Sequence, residues 1–121
     1  MRKLLVVEDD EGLRSLLTAR LEKSGFGCLS TDNGLEALNI IQKNQPDLVI
    51  LDLGIPGLSG QEVCKEIRKD ANTKNLPIIM LTGKDTDVDR VIGKVIGANC
   101  YLTKPCEVSI LLEKIKVLLG N

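Results

Sequence analysis

Five short apolar runs punctuate the chain, and each leads into a longer stretch where apolar residues return every three or four positions. The runs are Lys3–Glu8, Gly27–Thr31, Leu48–Asp52, Pro77–Thr82 and Asn99–Thr103. The first, third and fourth are nearly continuous, as parallel strands buried on both faces must be. The second and fifth are more mixed and belong nearer the sheet edges. The intervening stripes have helical spacing, so each predicted helix carries one apolar face toward a sheet. They are Leu13, Leu16, Leu17 and Leu21, with Arg14, Arg20 and Glu22 turned outward; Leu35, Leu38 and Ile41; Val63, Cys64 and Ile67; Val88, Val91, Ile92 and Val95; and Val108, Leu111, Leu112, Ile115 and Leu119. Asp32-Asn33-Gly34 reads as the opening of the second helix, and Gly25 and Gly97 as stops after the first and fourth.

The order is strand then helix, five times over. It predicts one α/β domain over residues 1–121, with a doubly wound parallel sheet, helices on both faces and right-handed crossovers. No linker, low-complexity tract or internal sequence repeat interrupts it.

Composition narrows the chemistry. The chain of 121 residues is 43% hydrophobic but only 2% aromatic, so its core is aliphatic. It has no His and no Trp, which removes His-based catalysis and most zinc sites. Sixteen basic against 17 acidic residues leave a net charge of −1, which gives no bulk reason to expect nucleic acid or a membrane as partner. The apolar run after Met1-Arg2-Lys3 is too short for a signal peptide, and a cytoplasmic location is expected. The four cysteines form no CxxC pair and read as small buried hydrophobes in a reducing compartment.

In sheets of this kind, ligands bind outside the carboxyl ends of the strands. The first strand ends at Glu8, Asp9 and Asp10, the third at Asp52, the fourth at Thr82, and the fifth leads into Lys104-Pro105. Asp10 and Glu11 read as the acidic first turn of the first helix. The remaining groups make a rim of carboxylates, a hydroxyl and a lysine. Like charges about 4 Å apart repel by roughly 1 kcal/mol in water and by more where partly buried. An all-oxygen donor set that needs a cation selects a hard ion, and Mg²⁺ is the usual partner of a few carboxylates plus phosphate. Asp52 beside such an ion can attack a phosphoryl group and become an acyl phosphate. Lys104 could neutralise the incoming oxygens and Thr82 could donate to them. In LGIPGLSG, Gly54 leaves room for backbone to approach the ion, Pro56-Gly57 shapes a turn, and Gly83 leaves room for a phosphoryl group.

Taken together, LLVVEDD, PDLVILDLGIPGLSG, PIIMLTG and GANCYLTKP resemble the receiver domains of two-component response regulators, in that family's order and spacing, over nearly the whole chain. The resemblance implies a flavodoxin-like (βα)5 fold with strand order 2-1-3-4-5. It implies that Asp52 accepts phosphate from a histidine kinase, a phosphotransfer protein or a small phosphodonor. Glu8 and Asp9 would position Mg²⁺ together with Asp52 and the backbone carbonyl of Gly54. Lys104 would contact the phosphoryl group, with a cis bond to Pro105. Thr82 and Tyr101 would form the switch pair that alters the surface of the fourth helix, fifth strand and fifth helix.

The expected protein is a switch, with weak self-phosphorylation and autodephosphorylation but no dedicated enzymatic role. It would act on a downstream protein or an effector domain of a longer regulator, as a monomer or a phosphorylation-dependent dimer, without binding nucleic acid or membrane itself. Asn99 and Cys100 stand where receivers attached to winged-helix domains usually carry acids, Cys106 stands where an aromatic is usual, and Lys84 lies where a side chain can gate water. A degenerate receiver acting as a scaffold is the alternative. A haloacid-dehalogenase-type enzyme would need a second Asp where Gly54 stands. A nucleotide-binding flavodoxin-like module would need a Gly-rich loop where Glu8-Asp9-Asp10-Glu11 stands.

Overall fold

The computed structural model describes residues 1–83 and 97–120. Along them run β1 (Lys3–Val7), α1 (Glu11–Lys23), β2 (Gly27–Thr31), α2 (Gly34–Asn44), β3 (Leu48–Asp52), α3 (Gly60–Lys69), β4 (Ile78–Thr82), β5 (Cys100–Thr103) and α4 (Val108–Leu119). Here α4 is the helix of the fifth apolar stripe. The fourth stripe, Val88 to Val95, and Lys84 lie outside the described residues. The five strands are parallel in the order β2-β1-β3-β4-β5, so the two mixed runs are indeed the edges. This is the flavodoxin-like order expected from the sequence.

Strand alternation divides the core in two. Leu4, Val6, Leu48, Ile50, Ile79 and Leu81 face α1 and α4, where they meet Leu17, Leu21, Leu111 and Ile115. Leu5, Val7, Val49, Leu51, Ile78 and Met80 face α2 and α3, where they meet Ala37, Ile41, Val63, Cys64 and Ile67. Each fully buried aliphatic side chain contributes about 1.5–3 kcal/mol relative to an exposed one, so β1, β3 and β4 form the rigid centre of the molecule.

Two helical stripes are narrower than expected. Leu16 is 49% exposed and Leu35 is 60% exposed. Leu17 and Leu21 carry the inner face of α1, and Ala37 and Ile41 that of α2. Each helix meets the sheet along a strip narrower than its run of leucines, and a small Ala lets α2 sit close.

The helix starts follow their capping chemistry. Asp10 Oδ1 accepts from the Leu13 amide at 3.0 Å, Asn33 Oδ1 from Glu36 at 2.8 Å and Ser59 Oγ from Glu62 at 3.2 Å. Asp10 is thus the N-cap of α1 and Glu11 its acidic first turn. At the opposite end of the sheet, Arg68 ties α3 to the approaches of β4 and β5. Its guanidinium donates to the carbonyls of Leu76 at 2.7 Å and Gly97 at 2.9 Å, and to Asn99 Oδ1 at 2.9 Å. The same Asn99 oxygen accepts from the Ile78 amide at 2.9 Å, so Asn99 serves the sheet from that edge.

All four cysteines are thiols; Cys64 is buried and the others half-buried. Burial pushes the Cys28 thiol up to about 11, with Glu22 adding to the push, and burial raises Cys64, Cys100 and Cys106 as well. They pack as small apolar groups and do not ionise at neutral pH.

Candidate functional site

Among the described residues, four polar side chains are buried: Glu8, Thr31, Asp52 and Thr82. All four stand at the carboxyl ends of strands, and the apolar strands below them hold no other buried polar group. The parity of the strands decides which way each points. Glu8 continues Leu4 and Val6, Asp52 continues Leu48 and Ile50, and Lys104 continues Leu102. By alternation these three share the α1/α4 face. Thr82 continues Ile78 and Met80 toward the other face, where Tyr101 is half-buried against the core cluster. The charged groups and the predicted switch pair therefore diverge to opposite faces at the carboxyl end of the sheet.

The geometry matches this alternation. Lys104 Nζ lies 2.6 Å from Glu8 Oε1 and 3.1 Å from Asp52 Oδ2. Both contacts are ion pairs with a single shared ammonium. The Gly54 amide donates to Asp52 Oδ1 at 3.1 Å, and the Asp10 amide donates to Glu8 Oε2 at 3.1 Å. Lys104 is held by its own amide, which donates to the Thr82 carbonyl at 2.6 Å, and the Lys104–Pro105 bond is cis.

The charges are unevenly compensated. Glu8 is 1% exposed and Asp52 5% exposed. Burial pushes the Glu8 carboxyl above the usual carboxylate range; the Lys104 ammonium and the Asp10 amide oppose the push, and the Asp52 charge adds to it. Burial pulls Lys104 down, but Glu8 and Asp52, through hydrogen bonds and charge, outweigh it and the net direction is up. Lys104 thus stays protonated between two buried carboxylates, with Asp9 exposed beside them. Single carboxylate oxygens of Glu8, Asp9 and Asp52 lie within 4.8 Å of one another. An all-oxygen set at that spacing, left with surplus negative charge, fits a hard divalent cation.

A Cβ on Gly54 would meet nothing within 4 Å, and Gly83 is equally open. The crowded glycines are two others. A Cβ on Gly60 would lie 2.5 Å from the Asp52 carbonyl oxygen and 2.8 Å from Leu53 Cα. A Cβ on Gly34 would lie 2.2 Å from the Leu58 carbonyl oxygen. Gly60 lets α3 start against the strand end that carries Asp52, and its amide donates to the Leu53 carbonyl at 3.2 Å. Gly34 lets α2 start against the same loop, its amide donating to the Pro56 carbonyl at 3.2 Å.

Beside the site, Arg14 departs from its expected place. Arg14, expected to point outward, is half-buried and donates from a terminal guanidinium nitrogen to the Glu8 carbonyl at 2.9 Å. Helical periodicity placed it off the apolar stripe, but did not show that this side of α1 overhangs the end of β1.

A family model described as the response regulator receiver domain matches residues 4–116. Among solved structures, a candidate response regulator from Chloroflexus aurantiacus is 38% identical, with a TM-score of 0.94, covering 99% of this chain and 98% of that one. The chemotaxis response regulator CheY4 of Vibrio cholerae is 32% identical, with a TM-score of 0.92, covering 98% and 99%. The receiver domain of the sensor histidine kinase PA1611 from Pseudomonas aeruginosa is 28% identical, with a TM-score of 0.92, covering 99% and 98%; its structure has a magnesium ion coordinated in the active-site cleft.

Proposed function

Since the chain belongs to the response regulator receiver domain family of two-component signalling, we propose that it is a phosphoacceptor switch in which Asp52 takes a phosphoryl group from the phosphohistidine of a sensor kinase or phosphotransfer protein. The observation that carries this is the convergence of Asp52, Glu8, Asp9 and Lys104 at the carboxyl end of the sheet, with the acceptor carboxylate held by the Gly54 amide and the Lys104 ammonium.

In the reaction an Asp52 oxygen forms a bond to phosphorus as the bond to the donor nitrogen breaks. The imidazole leaves and takes up a proton, and the product is an acyl phosphate. With acetyl phosphate as donor, a P–O bond breaks and acetate leaves. Glu8, Asp9, Asp52 and the Gly54 carbonyl would hold Mg²⁺, which supplies positive charge to the phosphoryl oxygens. Lys104 already bridges Glu8 and Asp52, and it shifts part of its pairing to the new group. Phosphorylation adds about −1.5 to −2 charges and three acceptor oxygens. Thr82 and Lys104 gain contacts with them that the free carboxylate does not offer. Such a difference between states is what moves a two-state equilibrium. Tyr101, on the Thr82 side of β5, is the natural reporter of that shift, and β5 with α4 is the surface it would alter for a downstream protein or an effector domain.

Intact mass after incubation with acetyl phosphate tests the reading. A gain of one phosphoryl group is expected with Mg²⁺ and none after chelation. A wild-type chain that binds Mg²⁺ but never gains mass from acetyl phosphate or a kinase would favour the scaffold alternative.

A further inference from the structure

Three hydrogen bonds close a circuit around the turn between β1 and α1. The Asp10 amide donates to Glu8 Oε2 at 3.1 Å, the Arg14 amide donates to the Asp10 carbonyl at 2.8 Å, and the Arg14 guanidinium returns to the Glu8 carbonyl at 2.9 Å. The Glu8 amide is fixed separately on the Thr31 carbonyl at 3.1 Å. Asp9 is the one turn residue that bridges two held neighbours, with its carboxylate projected to within 4.8 Å of those of Glu8 and Asp52. We propose that Arg14 is a positioning residue for the acidic pair: by clamping the Glu8 carbonyl it sets the direction in which Glu8 and Asp9 leave the strand, and so the spacing of the cation-binding oxygens. The inference rests on the Mg²⁺ reading above and deepens it.

The competing role for Arg14 is a positive charge that screens the carboxylates. The two roles predict opposite signs. If Arg14 only screens, its removal lessens repulsion of an incoming cation and Mg²⁺ binds more tightly. If Arg14 positions, its removal lets the turn relax and Mg²⁺ binds more weakly, by about tenfold on the scale of other outer contacts to metal ligands. Arg14→Met is the variant of choice, because it keeps an aliphatic stem of similar length while removing the donors. Arg14→Lys keeps the charge and one donor able to reach a single carbonyl, and restores most of the affinity.

The measurement is calorimetric titration of Mg²⁺ into wild type, Arg14→Met and Arg14→Lys, each checked for folding by urea unfolding. Amide hydrogen exchange in the metal-free wild type supplies an observable that no variant can spoil: the Asp10 amide, donating to Glu8, exchanges more slowly than that of Glu11. Weaker binding by the Met variant, restored by Lys, together with a protected Asp10 amide, supports the clamp. Unchanged or tighter binding by Arg14→Met, a Lys variant no better than Met, or an unprotected Asp10 amide overturns it. Wild type that does not bind Mg²⁺ overturns the metal reading itself, which keeps that failure distinct from failure of the clamp.

Discussion

Asp52→Asn is expected to make the metal-free protein harder to unfold and to remove its response to Mg²⁺. In the wild-type site two carboxylates, 1% and 5% exposed, share the Lys104 ammonium, and a third lies within 4.8 Å. Removing one partner of a buried ion pair normally destabilises because it strands a charge. Here it leaves Lys104 paired one-to-one with Glu8. The variant also loses the desolvation cost of a buried carboxylate and its repulsion by Glu8 and Asp9. Like charges at this spacing repel by about 3–4 kcal/mol at an effective dielectric constant near 20, and the lost attraction to Lys104 offsets most of that. A net gain on the order of 1 kcal/mol remains. Mg²⁺ should stabilise wild type progressively, as any ligand of the folded state does, and leave the variant nearly unmoved. Urea titrations of both proteins, with Mg²⁺ and with chelator, read the two effects together. A variant less stable than wild type without metal, or equally stabilised by Mg²⁺, would mean that the Asp52 charge is not part of a strained cation site.

Gly60→Ala is expected to cost about 1–3 kcal/mol, which for a chain of this size lowers the melting temperature by roughly 3–12 °C. The added methyl would meet the Asp52 carbonyl oxygen at 2.5 Å and Leu53 Cα at 2.8 Å. Both are backbone atoms, so no rotamer change relieves the clash. That backbone is pinned besides, since the Leu53 amide donates to the Leu81 carbonyl at 3.0 Å. The start of α3 must move away or the end of β3 must bend, and Asp52 sits on that end. Better helix propensity for Ala returns less than about 1 kcal/mol at a helix terminus. Gly54→Ala is the control, because a Cβ there meets open space and its φ is not in the left-handed region. Its stability should stay within about 0.5 kcal/mol of wild type. Thermal unfolding of the three proteins checks the ordering, and a Gly60 variant as stable as the Gly54 one would contradict it.

What the sequence could and could not reveal follows from these residues. β1, β3 and β4 were legible because a strand buried on both faces must be continuously apolar, and such runs are hard to mistake. Glu8, Asp52, Thr82 and Lys104 were legible because each interrupts or ends an apolar run, where a buried polar group costs free energy without a partner. The pinch points at Gly34 and Gly60 were not. Their need for glycine comes from backbone approaching from another part of the chain, and the eye falls first on Gly54 and Gly57, which are part of the same loop. Leu16 and Leu35 misled for the opposite reason: a leucine at helical spacing is counted as inward, yet the width of each helix–sheet contact is set by packing. Arg14 was hidden because periodicity orients a side chain about its own helix axis and does not show what overhangs it. The resemblance to receiver domains supplied the strand order, which the apolar pattern alone left open, and the roles proposed for Thr82 and Tyr101.

The most direct test of the account is to find where the phosphoryl group lands. The chain would be incubated with acetyl phosphate and Mg²⁺, reduced with borohydride, which converts an aspartyl phosphate to homoserine, then digested and sequenced by tandem mass spectrometry. Conversion at Asp52, in the peptide spanning residues 46–60, is the predicted result. Conversion at Glu8 or Asp9, or a borohydride-resistant phosphate on Thr82, would contradict it.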